Sequence, residues 1–184
     1  MKEITIAVPD GKRAEWINGV LTLVDEPKVD NRPVTERIKT FADACHALGD
    51  EHPFVTQYCL TVGAYKGDPM TEDLITYLKL RIIVGALNEG WEPKFTEDEY
   101  RYFPLFSIYT KEQYDALDDD IKCRVVYRGS YAYATTSASN SSAYVGSRLV
   151  FRTDELAAYA GRQFIDEWAD FMFKPRTVDD VKQL

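Results

Sequence analysis

Cys45, His46, His52 and Cys59 are the side chains of this chain that could hold a soft metal or form a thiol nucleophile beside a base. Structural zinc takes its ligands in tight pairs, and the seven-residue steps from Cys45 to His52 to Cys59 lack that pairing. Cys45 and His46 are adjacent, so on a helix their side chains diverge by about 100°. Both cysteines fall on apolar stripes, where a small buried thiol is the plainer account. A metal- or thiol-dependent enzyme centred on these four residues is therefore the alternative reading. No catalytic residue, metal ligand or cofactor is assigned.

Carboxylates gather at Glu97-Asp98-Glu99 and at Asp118-Asp119-Asp120. Hydrolytic chemistry needs two acids at a fixed separation, one with its pKa raised by burial, whereas acid runs in turns are normally solvated. Neither run has the glycine and terminal glutamate of an EF-hand loop. Glycine-rich phosphate cradles, nucleophile elbows and dinucleotide fingerprints are absent.

Binding chemistry is better represented. The ribbon from Gly129 to Val145 is built of Ser, Thr, Ala, Asn and Tyr. Tyrosine supplies rigid amphipathic contact area at small entropic cost, and Ser and Asn adapt their hydrogen bonds. Tyr131, Tyr133 and Tyr144 form the candidate aromatic platform, with Asn140, Ser141 and Ser142 at its tip. A second reading stands beside it: Tyr131 and Tyr133 are the buried face of an ordinary strand under the last helix, and Asn140 to Ser142 is its turn.

The elements that must position these residues follow from periodicity. Ile4, Ile6 and Val8 alternate, and Asn18-Gly19 between two apolar runs is a strong hairpin signal, so a three-stranded N-terminal meander is expected. Helices are expected over 34–48, 54–65, 72–88 and 153–173, the third apolar on nearly every side and so central. Strands are expected over 103–109, 123–127 and 147–151, and Thr110 with Gln113 has the spacing of a capping box. The reading is an α+β fold: an antiparallel sheet with an N-terminal β-hairpin, joined by strands near 103–109, 123–135 and 143–151, and packed by about three main helices, 34–48, 71–88 and 153–173. One domain over 1–184 is the default for 184 residues, with a subdivision at 1–25, 34–174 and a flexible tail 175–184.

The net charge of −8 argues against a nucleic-acid-binding surface. It also raises one more alternative, an acidic regulator that occupies a host protein by charge mimicry. Three unpaired cysteines fit a reducing compartment. No apolar run approaches the roughly 18 residues of a membrane span, and Met1 leads into a strand pattern without a signal-peptide core. The expectation is a cytoplasmic or virion-associated product with no membrane partner.

Three runs, 78–93, 102–112 and 146–171, together resemble a family of proteins without an assigned activity from Bacteroides-type gut bacteria and their phages and prophages. Its likeness extends to the N-terminal hairpin and to 33–41. The resemblance implies phage association and no chemistry. Locally, Arg128-Gly129-Ser130-Tyr131 followed by a polar ribbon and Val145 to Leu149 is similar to the closing segment of C-type-lectin-like domains of the formylglycine-generating-enzyme type. In those domains Trp stands at the place of Tyr131, and Phe at that of Ser147. That likeness implies a hairpin able to present a binding surface. The functional expectation is a non-enzymatic phage or prophage protein, structural or accessory, whose ribbon contacts a protein or a glycan.

Overall fold

Asn18 and Gly19 both adopt positive φ, 51° and 77°, as the tight turn matched to strand twist requires. They join β1 (Lys12–Ile17) to β2 (Val20–Asp25) in antiparallel register, with Ile17 opposite Val20 and Lys12 opposite Asp25. The computed structural model of the chain describes residues 6–26, 30–65, 67, 71–128, 130–140 and 148–173. The chain forms two compact units, Met1–Arg32 and Pro33–Leu184. The hairpin is its own two-stranded sheet. Of the expected strand over 2–8, residues 2–5 lie outside the described residues; its described part, 6–8, is not in a strand, Ile6 and Val8 are exposed, and the turn at Pro9 closes directly onto Lys12.

In the second unit the expected helix over 34–48 is two helices, α1 (Val34–Arg37) and α2 (Phe41–Leu48). The break is caused by a second capping box. Thr40 accepts the N–H of Asp43 at 3.1 Å, and the Asp43 carboxylate accepts the Thr40 N–H at 2.9 Å and that of Lys39 at 3.1 Å. The carbonyls freed at the break are used elsewhere. That of Ile38 accepts the Tyr159 hydroxyl at 2.7 Å, and that of Lys39 accepts Gln163 Nε2 at 2.8 Å.

The hydrogen bond from the Lys39 N–H, followed by that from the Thr40 side chain, holds the Asp43 carboxyl below its usual pKa. A depressed carboxylate stabilises the fold above its unfolded pKa of about 3.9 and loses that contribution as pH falls through its folded value. Asp43→Ala is therefore expected to melt lower than wild type at neutral pH. The gap closes as the pH drops below about 4, which thermal melts across an acid series would register; a constant gap would sink the assignment.

Next come α3 (Pro53–Tyr65) and α4 (Glu72–Asn88). As expected, α4 is central: Leu78, Leu80, Ile82, Ile83, Val84 and Leu87 are buried, although Leu74 is exposed. Beyond it lie β3 (Arg101–Tyr109), α5 (Lys111–Asp115), α6 (Asp119–Lys122), β4 (Val126–Tyr127) and β5 (Tyr131–Ser139). The Thr110 and Gln113 capping box opens α5 as expected. Asp118 to Asp120, read as a turn, instead begin a one-turn helix whose positive end suits their charge. This helix and the bend after it shorten the expected strand over 123–127 to two residues.

The three strands form an antiparallel sheet in the order β3-β5-β4, and all nine residues of β5 pair with β3. The expected strand over 147–151 survives as a single bridge between Phe151 and Tyr102, among the described residues. Leu149, Val150 and Phe151 are all buried, so this run has no alternation for a half-exposed strand to use. The expected helix over 153–173 divides at Phe164 into α7 (Asp154–Gln163), capped by Thr153, and α8 (Ile165–Met172). Helices α2, α3, α7 and α8 all contact α4, and α7 lies across β3 and β5.

Candidate functional site

Direct cross-strand partners share a face of a sheet, so one contact fixes both faces. A Cβ added at Gly161 of α7 would lie 3.0 Å from Pro104 Cβ and 3.5 Å from Ala134 Cβ. The even-numbered residues of β3 and β5 therefore face the helix. Small residues line both surfaces, Ala132 and Ala134 on the strand and Ala157, Ala160 and Gly161 on α7. This overturns the reading in which Tyr131 and Tyr133 pack under the last helix: the alanines do.

The tyrosines occupy the opposite face. Tyr131 and Tyr133 of β5 stand beside Tyr109, Ser107 and Leu105 of β3, and Tyr127 of β4 stands opposite Tyr131. Tyr131 is stacked on Tyr114 of α5, ring centroids 4.4 Å apart and planes 15° from parallel, and its centroid is 5.0 Å from that of Tyr127. Tyr133 is half-buried, and its hydroxyl lies 3.5 Å from Arg124 Nη1. Leu105 and Tyr127 are 46% and 60% exposed. Hydroxyls of Ser107, Thr135 and Ser137 share the face, although Thr135 already donates to the Leu105 carbonyl at 3.1 Å.

The far end of the face is closed. Arg101 is 2% exposed, its guanidinium 4.8 Å from the Phe95 ring centroid and 3.9 Å from Glu99, and it donates to the Asn140 carbonyl. Glu99 accepts the N–H groups of Lys94 and Phe95 at 2.8 and 3.1 Å, which holds Phe95 at a φ of 58° over the arginine. The acid run 97–99 thus supplies a loop clamp. Asn140, expected at a free tip, is half-buried, with its carbonyl committed to Arg101. Ser141, Ser142 and Tyr144 lie outside the described residues. Tyr114 was invisible as a member of this face from local pattern, since only the fold of α5 carries it there.

The Cys/His alternative does not assemble. Among the described residues, no three His, Cys, Asp or Glu side chains come together as a metal site. His46 and Cys59 are exposed, and His52 uses Nδ1 to accept the Phe54 N–H at 3.2 Å at the start of α3. Burial, then the nearby Cys59 and Asp50, raise the Cys45 thiol pKa. A raised pKa leaves less thiolate and a weaker nucleophile.

No helix among the described residues is long and apolar enough to cross a membrane. No family model, curated protein or solved structure matches the chain.

Proposed function

We propose that this chain is a non-enzymatic binding protein of phage or prophage origin, structural or accessory, acting in the cytoplasm or on the virion. Its contact surface is the tyrosine face of the three-stranded sheet, and its partner is a protein or a glycan. The observation that carries the reading is the direction of the ribbon's side chains: Tyr131 and Tyr133 point away from α7 and share with Tyr109, Tyr114 and Tyr127 a face that runs on past Ser107 to exposed Leu105. Aromatic rings with hydroxyls between them can stack on sugar C–H faces or on apolar side chains while the hydroxyls bond polar groups. Phage association rests on the resemblance of the three runs, and mass spectrometry of purified virions checks it.

For the contact surface, a glycan array and a displayed peptide library would be probed with wild type and with the Tyr127→Ala/Tyr133→Ala double variant, matched for far-UV spectra. The expected result is a ligand whose binding falls roughly tenfold or more in the variant, the loss typical of an aromatic anchor. Ligands that bind both proteins alike, or none on either support, would overturn the reading.

A further inference from the structure

The edge of β5 makes a different kind of surface from its face. On the β4 side the ladder pairs Tyr131 with Tyr127 and Ala132 with Val126, and β4 ends there. Two flanking bonds fix where the remaining backbone groups point. Tyr102 and Phe151 exchange N–H···O bonds of 3.1 and 2.7 Å, so Tyr102 turns its backbone away from β5. Groups alternate along an antiparallel ladder, so odd-numbered residues of β3 bond β5 and even-numbered ones do not. The register then commits Tyr133, Thr135 and Ser137 to β3 and directs Ala134, Thr136 and Ala138 to the other edge. Pro104 obeys the same parity, because its missing N–H falls on the outer side of β3. The Arg128 N–H, bonded to the Ser130 carbonyl at 3.0 Å, obeys it on the β4 side.

Ala134 is buried, but Thr136 is half-buried and Ala138 exposed, and among the described residues no backbone group pairs with their outward N–H and C=O. Natural edges are blunted by charge, proline, a bulge or a cover. From Tyr131 to Ser139 there is no charged residue, no proline, no glycine and no slip in the register. An edge so lacking in protection is a template for another strand.

We propose that this edge pairs with the same edge of a second copy of the chain, antiparallel about a two-fold axis at Ser137, joining two three-stranded sheets into one of six strands. Axis placement follows from access. Centred on Ser137, each Thr136 exchanges both its bonds with the other copy's Ala138, giving four N–H···O bonds. Centred on Thr136, the strand would have to reach buried Ala134. The β4 stub blocks the edge just beyond. A copy is favoured over a foreign strand because the pairing is self-complementary: Ser137 meets Ser137, Thr136 meets Ala138, and no charge lies within either strand. Asp154, which accepts the Thr136 hydroxyl, is the nearest acid on the helix side and sits in the first turn of α7, where the dipole favours it. With two chains of net charge −8 brought together, added salt strengthens the dimer. So few bonds make a weak, reversible association, and it aligns two tyrosine faces on one sheet.

Sedimentation velocity over a wide concentration series, paired with hydrogen exchange, tests this on the full chain. The expected result is a monomer-to-dimer shift in which the Thr136 and Ala138 amides slow as concentration rises. Ala138→Glu, which sets an acid against the other copy's Asp154, weakens the dimer at least tenfold without lowering the melting temperature. Tyr133→Ala, on the face rather than the edge, leaves the dimer intact even if it abolishes ligand binding. A monomer at every concentration, a dimer indifferent to Ala138→Glu, or a dimer whose two amides still exchange freely would overturn the proposal. Slowing of the amides only on addition of an unrelated strand-forming peptide would overturn it as well.

Discussion

Asn88→Ala is expected to lower the unfolding free energy by about 1–3 kcal/mol, chiefly the cost of stranding one buried backbone carbonyl, with a part-buried N–H beside it. Asn88 ends α4 and is buried. Its Nδ2 donates to the Val150 carbonyl at 2.8 Å, and its Oδ1 accepts the Arg152 N–H at 3.2 Å. The side-chain amide therefore does for the 150–152 segment what a neighbouring strand would otherwise do, and Phe151 between those two bonds is wholly buried. Alanine leaves the Val150 carbonyl without its partner in a place water reaches poorly, and the part-buried Arg152 N–H without its own. Asn88→Asp keeps the acceptor, loses the donor and adds a buried charge, so it is no milder. Glu89, next in the chain, pairs with Arg37 and with Arg152 at 2.7 Å, but in partly exposed positions. Its replacement by alanine is expected to cost less than about 1 kcal/mol. Urea titrations of the three variants check the ranking. Equal small losses for Asn88→Ala and Glu89→Ala would mean that the 150–152 segment does not depend on the amide.

That pair of bonds also shows where sequence reasoning reached its limit. Signals carried within a few residues were legible: the Asn18-Gly19 turn, the Thr110 and Gln113 box, the Thr153 cap and the all-round apolar surface of α4. The Thr40 and Asp43 box was masked, because Ile38, Phe41, Cys45 and Leu48 keep helical spacing through the break. Leu149, Val150 and Phe151 read as a strand because a buried apolar run looks the same whether its hydrogen bonds come from a ladder or from an amide some 60 residues away. Within the ribbon the period of two was plain, and the buried side was not. Large side chains usually mark the core, but here α7 approaches closely enough that only alanine fits beneath it. The tyrosine face was legible as residues and illegible as a surface, since Tyr114 and Tyr127 join it only through the fold.

Close approach of α7 has a measurable sign. Glycine inside a helix costs roughly 1 kcal/mol relative to alanine, so Gly→Ala in an exposed helix stabilises by about that much. Gly63 in α3 meets nothing within 4 Å of an added Cβ, and Gly63→Ala is expected to gain about 0.5–1 kcal/mol. At Gly161 the same substitution brings a methyl 3.0 Å from Pro104 Cβ, an atom whose place the backbone of β3 fixes and no side-chain rotation can move. Overpacking a filled core costs about 1–3 kcal/mol, which outweighs the propensity gain, so Gly161→Ala is a net loss. Gly161→Leu, whose larger side chain has no room beneath α7, is expected to lose about 3 kcal/mol or more. The proline is the diagnostic partner. In Pro104→Gly the Cβ itself is gone, so the loss from Gly161→Ala is expected to shrink in that background, a coupling that a double-mutant cycle reads directly. If Gly63→Ala and Gly161→Ala stabilised equally, α7 could not lie on the alanines of β5, and the tyrosines would lose the geometric reason for facing outward.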